Sequence, residues 1–167
     1  MTAVASTSGG LPRLGAFLLV AAIVLIDQVS KYLCVAQLDY AVPHTVFPGF
    51  DLLLVHNTGA AFSFLSEAGG WQRWILTAIS ALVSLGIGVW LWRLPRGQLL
   101  LSLALICILG GALGNLYDRW VLGYVVDFIS VYYGSWRFAT FNIADAAISI
   151  GAVLMALDVF FGSGRDD

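Results

Sequence analysis

The sequence predicts an all-α membrane protein, a four-transmembrane-helix bundle with a small outer platform of strands and turns, on three observations. Hydrophobic residues fill 60% of its 167 positions and charged residues 11%, whereas a soluble domain carries about 25% charge. Mean hydropathy is +0.90. Four apolar stretches, at 14–36, 71–92, 99–117 and 142–161, each approach the ~20 residues needed to cross a hydrocarbon core about 30 Å thick. The whole chain, 1–167, reads as one integral membrane domain.

The first stretch follows a polar leader containing Arg13, as a cleavable signal peptide would. Its length, the Asp27 and Lys31 inside it, and the lack of a small-residue cleavage pattern point to a retained span. Residues 37–70 contain no Lys or Arg, and within them HTVFPGFDLLLVHNTGAAFSFL sets Pro-Gly and Asn-Thr-Gly breaks around the β-prone runs FDLLLV and AAFSF. That pattern predicts a strand-and-turn platform with an apolar face. The linker at 93–98, RLPRGQ, carries Arg93 and Arg96, so the positive-inside tendency places it, both termini and the tail at 162–167 in the cytoplasm. Arg73, Arg119 and Arg137 then fall on the outer side, against that tendency. The second outer segment, 118–141, mixes Trp120, Tyr124, Tyr132, Tyr133 and Trp136 with few charges and is expected to lie in the membrane interface as helix or loop.

A net charge of -2 with no basic stripe excludes nucleic acid as a partner. Cys34 and Cys107 sit in apolar runs without CxxC or Cys/His spacing. They read as packed hydrophobes; no metal and no cofactor is expected.

Charges inside the spans carry the chemical information, because an ionised side chain at the bilayer centre costs roughly 2.5–3.5 kcal/mol on insertion scales. Asp27 and Lys31 in DQVSK lie four apart on one helical face and can neutralise each other. In GGALGNLYDR, Gly110 and Gly114 have the GxxxG spacing that admits a close neighbour, and Asn115 and Arg119 follow four apart. Asn142, Asp145 and Ser149 form a polar stripe at i, i+3 and i+7 on the last span. Asp127, about ten residues beyond the third span, returns to the outer surface near the start of the fourth. If Asp127 and Asp145 converge, they share a proton, and such a pair hydrolyses amides with water alone: the ionised member takes a proton from water and the protonated member polarises the carbonyl. Other readings stay open on spacing alone. Asp145 suits a helix start, where the macrodipole favours an anion. A small four-span proton-coupled transporter would use a single carboxylate, and in a scaffold the polar pairs would only lock the bundle. His44 and His56 lie in the platform without a paired nucleophile and read as structural or solvated.

Five blocks, DQVSK at 27–31, HNTGAAFSF at 56–64, GGALGNLYDR at 110–119, VVDF at 125–128 and FNIADAAIS at 141–149, together resemble the motifs of bacterial lipoprotein signal peptidases, also called signal peptidase II. The resemblance implies an inner-membrane aspartic endopeptidase that removes signal peptides from prolipoproteins, cutting just before a diacylglyceryl-modified cysteine, and that is inhibited by globomycin-type cyclic peptides. It carries the catalytic roles onto Asp127 and Asp145, and supporting roles onto Asp27, Lys31, Asn57, Gly59, Asn115, Arg119, Asn142 and Ala144. It also implies a β-cradle and a periplasmic helix on the outer side, an active site at the periplasmic face, and partners limited to diacylglyceryl-prolipoprotein substrates and membrane lipid.

Overall fold

The structure, a computed structural model, describes residues 11–59 and 71–162. Helix α1 spans Arg13–Gln37, α2 Trp71–Arg93, α3 Leu99–Val121 and α4 Ile143–Gly162. All four are long and apolar enough to cross a membrane. Four strands, β1 (His44–Phe47), β2 (Phe50–Asn57), β3 (Val125–Tyr133) and β4 (Trp136–Arg137), form one antiparallel sheet in sequence order.

Helix α3 is the hub. It packs against α1, α2 and α4, whereas α1 and α2 make little contact with each other. Nearly half of its most apolar window is buried, 44% against 17% for each other span. The close approach predicted for Gly110 and Gly114 is present: a Cβ on Gly110 would stand 2.8 Å from the Ile23 side chain and one on Gly114 2.6 Å from the Asp27 carboxylate, while one on Gly111, not singled out, would run into the Ala144 carbonyl oxygen. Small residues therefore let α1 and α4 seat against the α3 backbone. Leucines at the other faces, such as Leu14 and Leu82, remain exposed to what is lipid in the membrane.

The third helix runs past the expected end at Tyr117 to Val121, taking Asp118 and Arg119 into its last turn. Arg73 of α2 stops it there, donating from Nε to the Arg119 carbonyl at 3.0 Å and from NH2 to the Trp120 carbonyl at 2.6 Å. These are carbonyls a helix end leaves without partners. The turn that follows uses Gly123 at φ 89, where a Cβ would also meet the Arg73 guanidinium.

The second outer segment differs from the interfacial helix or loop expected of it: eleven of its 24 residues are strand, 125–133 and 136–137. VVDFISVYY is β-branched or aromatic at seven of its nine positions, and it pairs with β2 in the register Val55↔Asp127, His56↔Val126, Asn57↔Val125. The FDLLLV run is strand β2; the AAFSF run lies outside the described residues. Across the sheet, Arg137 of β4 bonds Asp51 of β2 at 2.8 Å and Ser130 of β3, while Thr45 of β1 donates to Asp51 at 2.9 Å. The Arg137 guanidinium and the Thr45 hydroxyl hold the Asp51 carboxyl below the usual carboxylate range. Two of the outer arginines that oppose the charge tendency thus have structural partners.

Candidate active site

Two backbone connections bring Asp127 and Asp145 together. The β2–β3 register sets Asp127 beside the end of β2. The chain entering α4 is then clipped to the strand just past Asp127: Phe128 and Ile129 donate to the Phe141 carbonyl at 3.1 and 2.8 Å, and Phe141 donates back to Ile129 at 3.0 Å. Asn142 follows Phe141 directly, so the start of α4 and the strand carrying Asp127 meet at the end of the bundle that bears the sheet.

Asn142 caps α4. Its Oδ1 accepts from the Asp145 N–H at 2.9 Å, while its Nδ2 donates to Asp127 Oδ1 at 2.7 Å and lies 3.2 Å from both the Val126 carbonyl and Asn115 Oδ1. The next free N–H of the helix, that of Ala144, is taken by Asp27 Oδ1 at 2.9 Å. Ala144 is itself fully buried between α1 and α3.

Three asparagines present their NH2 groups to the two carboxylates, and each is oriented by what its oxygen accepts. Asn57 Oδ1 takes the Gly59 N–H at 2.9 Å, an Asx turn made with Gly59 at φ 93, which leaves Nδ2 to donate to Asp127 Oδ2 at 3.0 Å. Asn142 is fixed by the helix start, as above. Asn115 Oδ1 takes Lys31 Nζ at 3.1 Å, so Nδ2 donates to Asp145 Oδ1 at 2.7 Å. An amide flipped at any of the three would set donor against donor.

Lys31 anchors this network. Its ammonium has three protons and three close acceptors: Asp27 Oδ2 and Asp118 Oδ2, each at 2.8 Å, and Asn115 Oδ1. All four side chains are buried, so the pairing predicted from DQVSK is one part of a larger cluster. Asp118, which sequence reasoning did not single out, also accepts from Gln28 Nε2 at 2.9 Å and from the Val126 N–H at 3.1 Å, tethering α3 and α1 to the residue before Asp127. One signal was available: Asp118 stands three residues after Asn115 on the same helical face, and a lysine buried in a membrane needs more than one acceptor.

Asp127 is 1% exposed. Burial pushes its carboxyl up from 3.8 to about 6; the charge of Asp145 adds to the rise, and the Asn57 and Asn142 donors and Lys31 oppose it. Arg119 is not among those causes. Arg119 lies within electrostatic reach of Asp145, Asp118 and Asp127, but no ion pair within 4 Å joins it to a carboxylate among the described residues. The stripe predicted on α4 keeps one face: Asp145 and Ser149 line the same cavity, with Ser149 donating to the Asp145 carbonyl at 2.8 Å.

Asp145 opens onto a predominantly apolar cavity of about 400 Å³ lined by Phe138, Phe141, Ala146, Ser149 and Ile150. His56 stacks on Tyr124 at 3.9 Å with Tyr40 at 4.8 Å, a ring stack on the platform with no nucleophile in it; His44 lies in strand β1. Among the described residues no group of three His, Cys, Asp or Glu side chains is arranged to hold a metal ion.

The sequence profile described as Signal peptidase (SPase) II matches residues 19–161. The lipoprotein signal peptidase of Ectopseudomonas mendocina is 53% identical over 157 residues, 93% of this chain and 91% of the relative. Those of Acinetobacter baylyi and Pseudomonas aeruginosa are 51% and 52% identical over 138 residues, covering 83% and 81% of this chain and 77% and 82% of the relatives. A solved bacterial membrane enzyme superposes with a TM-score of 0.78 at 27% identity, over 91% of this chain and 94% of that one. Profile, relatives and fold agree over the same stretch, which contains both carboxylates and all three asparagines: the chain belongs to the signal peptidase II family of bacterial membrane peptidases.

Proposed function

We propose that the chain cleaves diacylglyceryl-modified prolipoproteins on the N-terminal side of the lipidated cysteine, with Asp127 and Asp145 as an acid–base pair acting on water. The observation that carries this reading is the shared amide network, in which Asn115 and Asn142 link the two carboxylates through 2.7 Å bonds at the outer end of the bundle. Relatives at about half identity are lipoprotein signal peptidases.

Asp127, which keeps its proton to about pH 6, starts as the acid and Asp145 as the base. Water attacks the scissile carbonyl carbon; its proton passes to the Asp145 carboxylate while the Asp127 proton passes to the carbonyl oxygen, giving a neutral gem-diol. The diol collapses as the C–N bond breaks. Asp145 returns its proton to the leaving nitrogen and one diol hydroxyl returns its proton to Asp127, so both carboxyls are reset. Asn57, Asn115 and Asn142 hold the carboxylates, and Asp27, Lys31, Gly59 and Ala144 hold the asparagines and the start of α4. Arg119 is left for the substrate backbone.

The apolar lining of the cavity beside Asp145 suits a substrate whose acyl chains stay in lipid while its scissile bond reaches the carboxylates. Globomycin-type cyclic peptides compete there. The side assignment follows the arginines: Arg93 and Arg96 cytoplasmic, the sheet and the carboxylates periplasmic. The test is cleavage of a purified lipidated precursor, followed by gel shift. Asp127→Asn and Asp145→Asn each leave the precursor uncut yet still bind it; turnover by either variant at the wild-type rate defeats the mechanism.

A further inference from the structure

The end of the bundle opposite the carboxylates carries a second polar cavity, about 380 Å³, lined by Arg13, Arg93 and Arg96 together with Pro95, Gly97 and Ser102. No carboxylate among the described residues pairs with any of the three arginines. Helices α1 and α3 begin at this end with no acidic residue in the first turn, and α2 ends there on Arg93, so the net charge of the cavity is that of the three arginines.

An apolar groove of about 620 Å³ starts beside it. Because α1 and α2 both lean on α3 and hardly touch each other, a furrow is left between them, floored by Leu109, Leu113 and Leu116 and walled by Phe17 on one side and by α2 from Ala81 to Arg93 on the other. Arg93 lines both spaces. Trp92 joins them, its ring 6.0 Å from Phe17 and 5.3 Å from the Arg13 guanidinium carbon. From Ala81 to Arg93 the helical rise covers about 18 Å, and one leaflet of the hydrocarbon core is about 15 Å deep.

A cationic cup at headgroup level, continuous with an apolar furrow one leaflet deep, has the chemistry of one occupant. We propose that this end of the bundle holds an anionic phospholipid, its phosphate among Arg13, Arg93 and Arg96 and one acyl chain in the furrow between α1 and α2. Guanidinium forks suit phosphate oxygens, and each basic residue near a lipid surface contributes about 1 kcal/mol toward an anionic headgroup. The site is separate from the carboxylates and is filled by a resident lipid, not by substrate.

The experiment is native mass spectrometry of the full chain in neutral detergent, offered equal amounts of phosphatidylglycerol and phosphatidylcholine with the same acyl chains. Wild type retains phosphatidylglycerol with a preference of roughly tenfold or more. The combined variant Arg13→Gln, Arg93→Gln, Arg96→Gln loses the preference, whereas the matching triple lysine variant keeps most of it, which separates charge from damage to the fold. Millimolar inorganic phosphate does not displace the lipid, since the furrow holds its acyl chain. Equal retention of the two lipids by wild type, an undiminished preference in the glutamine variant, loss of preference in the lysine variant, or displacement by inorganic phosphate overturns the proposal.

Discussion

Asp127→Asn should stabilise the protein at neutral pH while abolishing cleavage, and the size of the gain follows from the site. The Asp127 carboxyl titrates near 3.8 when exposed and near 6 in the fold. The folded value is the higher one, so the folded chain holds this proton more tightly. The resulting stability is fully present below the unfolded value, falls as pH rises through the window from about 4 to 6, and is gone above it. The shift corresponds to a cost of about 3 kcal/mol for keeping the charged carboxylate folded at pH 7.5, and about 1.6 kcal/mol at pH 5. Asparagine removes that cost, but its NH2 must face one of the two amide donors, Asn57 or Asn142, which loses about 1 kcal/mol of hydrogen bonding. The variant is therefore expected to exceed wild type by about 2 kcal/mol at pH 7.5 and by only about 0.5 kcal/mol at pH 5. Reversible unfolding in mixed micelles, followed by tryptophan fluorescence at both pH values, measures the gap. A gap that stays the same between pH 5 and 7.5 would mean Asp127 is not the perturbed group described here.

Asn57→Ala removes a donor that lowers the Asp127 value, so the alkaline limb of the kcat/KM profile should move up by about one pH unit; movement of the acid limb instead would assign Asp127 as the base. Lys31→Met strands the buried Asp27 and Asp118 carboxylates and is expected to cost about 3–5 kcal/mol in the same unfolding assay. A loss under about 1 kcal/mol would show that the two acids are neutralised in another way. Ala144→Leu forces a larger side chain against Gly114, costing about 1–3 kcal/mol and slowing cleavage, since the α4 start that holds Asp145 must shift. Unaltered stability and rate would refute that packing.

Hydropathy and span length fixed the four helices, because crossing lipid demands about twenty apolar residues whatever they pack against. The polar residues inside them were legible for the same reason: each intramembrane charge or amide must have a partner, so Asp27, Lys31, Asn115, Asn142 and Asp145 stood out before any partner was known. The partners were not legible. Asp118 reaches Lys31 across 87 positions of chain and Asn57 reaches Asp127 across 70; spacing along one helix carries no record of such pairs. VVDFISVYY shows why local reading fell short, since its aromatics suit an interface as well as a strand and only the pairing with β2 decided between them. That pairing, with the Phe141 clip to Ile129, gives Asp127 its place beside the start of α4. The sequence by itself determined which groups had to be sheltered from lipid; the tertiary structure alone decided which of them shelter one another, because hydrogen bonds between distant segments exist only once the backbone has brought those segments together.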